Sequence, residues 1–328
     1  MRALIIAAGR GQRLDPFTRR RPKPLLYVAG RPILAHLLDV LPALGISDVL
    51  AVVGYLGEQI AAYLETRPGP AVKIVVQEQL LGNGHAVYAA RASLEGPILI
   101  LFGDTIPRAD LRAAVESTTA VIGVAEVEDA RPYGVAEVDG AGRVHRLVEK
   151  PAAPSSRLAV AGSYYFPDGR PLRDALDDLV AGGAQAARGG EFWFVDAIQR
   201  MIDRGEPVGT FRVERFYDCG TPDHLLTANR ELLAKPVAGG DGDLVAGGAQ
   251  AARGGRDGLP GAESGSVILP PCAISRQATL RDARIGPFVT VAPDTRISRA
   301  RVRDAIVLPG AVLEDAVVDH AIVDVPPA

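Results

Sequence analysis

The sequence predicts an α/β domain built on a mixed, mostly parallel sheet, followed by a short parallel β-helix. Three observations carry this reading. Short β-branched runs at residues 3–7, 48–53, 72–76 and 98–102 alternate with segments of helical spacing at 33–44, 58–64, 84–94 and 109–117, and such alternation builds a parallel sheet covered by helices. A Gly/Ala-rich stretch with little periodicity follows from residue 236, which reads as a linker. Beyond it apolar residues return every six positions, a period that fits neither an α-helix nor a simple strand but fits the turns of a hexapeptide β-helix.

In chain order, the alternation holds through the first four strands. From about Val121 it loosens into a hairpin, with strands near 134–138 and 143–149 joined by Asp139-Gly140-Ala141-Gly142, an insertion on the parallel sheet. Helical spacing resumes at 171–180, 192–203 and 222–234, with a strand at 209–217. The chain thus divides into residues 1–235, a linker at 236–265 and a repeat region at 266–328. The repeat places Ile268, Ile274 and Leu280, then Ile285, Val291 and Ile297, then Ile306, Val312 and Val318 on the inside of about three coils. Open coil ends need covering, which predicts packing on the first domain or on another subunit and a homo-oligomer. Thirteen residues, "DLVAGGAQAARGG", occur identically at 178–190 and 243–255. A structural repeat would diverge while keeping its pattern, so this one reads as a recent duplication or an artefact, with no function attached.

The bulk numbers narrow the partners. Lys and Arg total 36 against 39 Asp and Glu, a formal charge of −3, which gives no general reason to expect binding to nucleic acid or to an acidic membrane. The basic cluster at residues 10–23 is therefore local. Cys219 and Cys272 stand far apart, which excludes a disulfide framework and a CxxC zinc site and fits a reducing compartment. The apolar start at 4–8 is too short for a signal peptide core or a membrane span, so the expected location is cytoplasmic.

The chemistry concentrates in "AAGRGQRLDPFTRRRPKPLL", residues 7–26. A Gly-rich turn after a first strand suggests phosphate binding, because backbone N–H groups at a strand-to-helix turn can cradle anions. Two familiar versions fail. Leu14 stands where the dinucleotide fingerprint needs its third glycine, and Gly11-Gln12-Arg13 lacks the Gly-Lys-Ser/Thr ending of a P-loop. Taken together, Gly9-x-Gly11-x-Arg13-Leu14-x-Pro16-x-Thr18 followed by Pro22-Lys23 resembles the signature of the sugar-1-phosphate nucleotidyltransferases, the nucleotide-sugar pyrophosphorylases.

The resemblance continues through most of residues 1–235. It implies a Rossmann-like nucleotidyltransferase domain, with the C-terminal coil a left-handed β-helix. It implies that Arg13 and Lys23 are catalytic and that Ala8, Gly9 and Gly11 bind nucleotide. In "VVQEQLLGNGHAVYAAR" it places Gln77 at the nucleobase edge and Gly82 beside it. "LFGDT" supplies Asp104 and "FYDCGTPDHLLTAN" supplies Asp218, the two carboxylates that relatives use for Mg2+. "PYGVAEV", "LVEKP" and "AVAGSYYF" supply Gly134, Glu149, Lys150, Val160 and Gly162 around the sugar phosphate, and "GGEFWFVDAI" follows in order. Singly, each has a plainer reading. Asp104 suits a helix cap and Asp218 a turn; Glu149 and Lys150 suit a solvated pair, Gln77 a surface site, and the glycines turns. His85 reads as a helix-start residue and Cys219 as packing.

The implied reaction is attack of a sugar 1-phosphate on the α-phosphate of a nucleoside triphosphate, expelling pyrophosphate. The nucleophile is already largely dianionic at neutral pH, its second pKa being about 6, so the lack of a Ser/His/Asp or Cys/His set agrees with the reading. Asn83 and Thr105 stand where relatives often carry threonine and asparagine. The catalytic domain with a short β-helix tail resembles extended-form glucose-1-phosphate thymidylyltransferases, which favours dTTP; UTP- or GTP-dependent activity and a non-catalytic, nucleotide-sugar-binding role stay open. Some relatives acetylate an amino sugar phosphate on a longer β-helix, but a few coils with only His320 favour an architectural tail.

Overall fold

The computed structural model describes residues 1–234, the backbone of Ala252–Arg253, and residues 265–325. Apart from that dipeptide and Gly265, the expected linker and the second copy of the repeated segment lie outside the described residues. The described chain forms two compact units. The first comprises Met1–Arg10, Pro22–Pro24 and Val40–Phe216; the second comprises Gly11–Arg21, Leu25–Asp39 and the described part of Tyr217–Ala328. These groupings cut the chain differently from the sequence division at 235 and 266.

In the first unit the four expected strands form at Arg2–Ala7, Asp48–Val53, Val72–Val76 and Ile98–Phe102, all parallel, with Arg2–Ala7 between Asp48–Val53 and Ile98–Phe102. Leu4, Ile5, Leu99 and Ile100 are fully buried, as expected for strands covered on both faces. The sheet turns antiparallel where Leu158–Phe166 joins Ile98–Phe102. Ala120–Glu126 follows, antiparallel to Leu158–Phe166, and Val208–Asp218 pairs parallel with it. The expected hairpin forms from Gly134–Val138 and Val144–Glu149, and the Asp139 carboxylate closes its turn by accepting from the Ala141 and Arg143 amides at 2.9 and 3.0 Å.

Two elements depart from the sequence pattern. Leu158–Phe166 is a long strand inside the sheet, yet Gly162-Ser163 breaks its alternation. The register against Ala120–Glu126 shifts between Val160 and Tyr164, with Gly162 at φ +63°, so an irregularity of the bulge kind interrupts the pattern. The helix expected over 33–44 ends at Leu38 and resumes as a 3-10 turn at Pro42–Leu44, because a proline within the helix would lose a hydrogen bond and clash with the preceding turn.

The second unit holds three ladders of parallel strands. Ile268 pairs with Ile285 and Ile285 with Val302; Ile274 region residues pair with the Val291 region and on to Val307; Leu280 pairs with Ile297 and then Leu313. Successive rungs are therefore 17 or 16 residues apart, where three six-residue sides would give 18. The first two coils point inward as expected. The third does so only in part: Val318 packs against the interior beside Val302, Val307 and Leu313 and Ile306 is fully buried, whereas Val312 is 57 % exposed. Side chains alternate along a strand, so the shorter coil turns Val312 outward.

Helix Pro222–Ala234 packs with the coils through Asn229, which is fully buried. Its Oδ1 accepts from the Ala29 amide at 2.9 Å and the Thr290 hydroxyl at 2.6 Å, and its Nδ2 donates to the Phe288 carbonyl at 3.1 Å. The same unit buries His36 in helix Ile33–Leu38, where Nε2–H donates to the Val28 carbonyl at 2.8 Å. Burial, reinforced by nearby Arg31, depresses the His36 pKa from 6.5 to about 3. Below pH 6.5 the unfolded chain therefore takes the proton first. The stabilisation is complete above pH 6.5 and drains away toward pH 3, by at most about 1.4 kcal/mol per pH unit. Between pH 6.5 and 4 the melting temperature of wild type should fall more steeply than that of His36→Gln; parallel curves would refute the contribution.

Candidate active site

The first unit brings several expected site residues together. Ala8 and Gly9 follow the first strand; the Ala8 carbonyl accepts from the Tyr55 amide at 3.1 Å, and nothing lies within 4 Å of where a Gly9 side chain would stand. Lys23 opens the 3-10 turn Lys23–Leu25. Its side chain is only 8 % exposed, and Nζ donates to Asp104 Oδ2 at 2.9 Å. Asp104 follows strand Ile98–Phe102 and accepts from the Thr105 hydroxyl at 3.1 Å. Burial alone would raise its pKa. The Lys23 ammonium and these hydrogen bonds outweigh that and hold it below the usual range, so an ionised carboxylate stands ready with 45 % of its side chain accessible.

Gln77 is held at both ends. Its amide N–H donates to the Val53 carbonyl at 2.8 Å, while Nε2 donates to the Gly82 carbonyl and to His85 Nδ1, each at 3.1 Å. Two acceptors thus claim the amide hydrogens, and Oε1 is left as the acceptor that Gln77 can offer a ligand. Burial lowers the His85 pKa, which favours the neutral ring this contact needs. His85 was expected only to start a helix; the structure gives it a hold on Gln77. Gly82 sits at φ +94°, and a side chain there would meet the Phe192 carbonyl oxygen at 2.7 Å, so the close approach demands glycine.

Gly134, Glu149 and Val160 converge from three strands. A side chain on Gly134 would come within 3.1 Å of Glu149 Oε2 and 3.5 Å of Val160 Cγ2. Glu149 is 12 % exposed, and burial raises its pKa against the opposing pull of Lys150 and Arg188. Lys150 Nζ lies 3.7 Å from Glu149 Oε1 and 4.4 Å from the centre of the Trp193 ring. Gly162 abuts Thr105, which a side chain there would touch at 3.3 Å. Arg188, in the first copy of the repeated segment, pairs with Asp196 at 2.6 Å.

The second unit holds the remaining three. Gly11 takes φ +67° at the head of the 3-10 turn Gln12–Leu14, and its carbonyl accepts from the Leu14 amide at 2.9 Å and the Thr18 hydroxyl at 3.1 Å. Arg13 and Asp218 meet at Gly220, where an added side chain would stand 2.6 Å from Arg13 Nη2 and 2.7 Å from Asp218 Oδ1. Asp218 Oδ2 also lies 3.3 Å from His224 Nδ1. Among the described residues no three His, Cys, Asp or Glu side chains gather as a metal-holding group.

The first unit thus carries, on its α/β sheet, the Ala8-Gly9 turn, a buried lysine paired with an accessible carboxylate, and a glutamine whose amide hydrogens are fixed. The profile of the nucleotidyl transferase family matches residues 2–235, and the chain belongs to that family of enzymes. It is 32 % identical to a glucose-1-phosphate thymidylyltransferase of Streptomyces griseus over 95 % of this chain and 88 % of that protein. It is 33 % identical to the bifunctional protein GlmU of Methanocaldococcus jannaschii, covering 72 % of this chain and about half, 55 %, of that one. Solved structures agree in fold: a UDP-glucose pyrophosphorylase complexed with UDP-glucose, TM-score 0.64 at 22 % identity, covers 71 % of this chain and 98 % of its own. A putative glucose-1-phosphate thymidylyltransferase from Bacillus anthracis also has TM-score 0.64, at 24 % identity, covering 74 % and 98 %. Among the described residues no helix is long and apolar enough to cross a membrane.

Proposed function

We propose that the chain joins dTTP to glucose 1-phosphate, with Mg2+, giving dTDP-glucose and pyrophosphate. The carrying observation is the match to the Streptomyces griseus enzyme over 95 % of this chain, which extends beyond the catalytic region into the coils. The Gln77 Oε1 acceptor supports a base with a ring N–H donor, as in thymine or uracil. In this reading a phosphate oxygen of the sugar 1-phosphate bonds to the α-phosphorus while the bond to the β-phosphate oxygen breaks. Two anions must be held together, which calls for positioning and positive charge rather than a base. Lys23 and Arg13 serve the triphosphate and the departing pyrophosphate, Lys150 the sugar phosphate, and Gly134, Glu149, Val160 and Gly162 line the sugar side. The metal supplies charge neutralisation at the phosphates.

Asp104 and Asp218 are the hard oxygen donors for Mg2+. One or two carboxylates, with water and phosphate oxygens completing the shell, are what this ion requires, and Asp104 is accessible and ionised; the donor set fits. The coils are read as a left-handed hexapeptide β-helix that serves association between copies.

Pyrophosphate release from a panel of nucleoside triphosphates and hexose 1-phosphates tests this directly. The expected result is fastest release with dTTP and glucose 1-phosphate, abolished by EDTA. Preference for UTP or GTP would move the assignment within the class, and nucleotide binding without release from any pair would favour a regulatory role.

A further inference from the structure

We propose that Trp193 is a positioning residue for Lys150: its indole face holds the ammonium where the sugar phosphate arrives and so sets the affinity for that substrate. This rests on the reading of Lys150 as the sugar-phosphate residue.

Lys150 follows strand Val144–Glu149 at φ +46°, a left-handed conformation uncommon for a residue with a side chain, and its amide is anchored on the Tyr133 carbonyl at 3.0 Å. The side chain is 49 % exposed, so burial does not fix it. Two neighbours do. Glu149 Oε1, at 3.7 Å, attracts the charge from beyond hydrogen-bond length, and the Trp193 ring centre lies 4.4 Å from Nζ, well inside the range for a cation over an aromatic face. Neither contact commits an N–H to an acceptor at hydrogen-bond distance, so the three ammonium donors stay available for phosphate oxygens. A lysine already held this way gives up less freedom when the anion binds.

Trp193 is itself tied down on both sides. Phe192 N–H donates to the Leu81 carbonyl and Gly84 N–H to the Phe192 carbonyl, each at 2.8 Å. Phe194 N–H donates to Asn83 Oδ1, also at 2.8 Å. A side chain on Gly84 would meet the Trp193 carbonyl carbon at 2.9 Å. The backbone on either side of Trp193 is thus anchored to residues 81–84, and Asn83, where relatives often carry threonine, supplies one of the anchors.

Trp193 is the only tryptophan in the sequence, so emission from the full-length protein reports on this contact. With the ammonium over the ring, iodide should quench wild type more strongly than caesium, and Lys150→Met should lose about half of that preference. An unchanged ratio would overturn the contact without any appeal to turnover. In steady-state assays Trp193→Leu should raise KM for the sugar 1-phosphate about two- to fivefold, the range for an exposed cation–π contact. KM for the nucleotide and kcat should move less than twofold, and Trp193→Phe, which keeps an aromatic face, should recover at least half the loss. Equal rises in both KM values, or no recovery with Phe, would overturn positioning. If Lys150→Met leaves KM for the sugar phosphate unchanged, the reading of Lys150 fails instead, and the quenching result identifies which of the two ideas was at fault.

Discussion

Lys23→Ala should lower kcat by about a hundred- to a thousandfold, the usual cost of removing one preorganised charge partner from a transition state, while the protein stays folded. Nζ donates to Asp104 Oδ2 at 2.9 Å from a side chain only 8 % exposed, so the charge is held in place before substrate arrives. Truncation leaves Asp104 without its ammonium. Because 45 % of the Asp104 side chain is accessible, water can take over that contact, and the stability loss should stay below about 3 kcal/mol. Single-turnover pyrophosphate release, with circular dichroism as the control for folding, separates the two effects. Release within fivefold of wild type from a folded variant would remove Lys23 from the mechanism.

Asn229→Ala should be the most damaging of these substitutions for stability, costing about 3 kcal/mol in the second unit. Asn229 is fully buried and serves the Ala29 amide, the Thr290 hydroxyl and the Phe288 carbonyl. Alanine strands the Ala29 donor and the Phe288 acceptor, and each orphaned buried group costs about 1–3 kcal/mol. A fall in melting temperature on the order of 10 °C is expected for a unit of this size. A shift of less than 2 °C would mean that water replaces the amide and that Asn229 does not hold the coils to helix Pro222–Ala234.

The opening motif was legible because its meaning is local. Gly9, Gly11, Arg13 and Lys23 lie within fifteen residues, and the conformations that glycine permits are set by neighbouring atoms. Gln77 and Asp104 were marked only by the family resemblance, each beside a strand that periodicity finds. What holds Gln77 could not be read in this way: the His85 contact depends on how helix Asn83–Ala89 turns back toward the strand end, and the sequence marks His85 only as one polar residue at a helix start.

The sequence by itself determined the α/β alternation, the hairpin at residues 134–149, the repeat character of the C-terminal region and the family motif, because hydrophobic period and glycine placement are properties of short stretches. Only the tertiary structure decided which valines of the third coil face inward, because coil length is set by pairing with the rung before it, and one residue of slip turns Val312 out. It also decided that Leu158–Phe166 lies inside the sheet despite its interrupted pattern, since five neighbouring residues, Leu158–Val160 and Tyr164–Tyr165, find partners in Ala120–Glu126 on either side of the register shift. The pairings of Lys23 with Asp104 and of Lys150 with Trp193 join residues 81 and 43 positions apart. Distance along the chain carries no local signal of such contacts, so they exist only once the fold has brought these segments together.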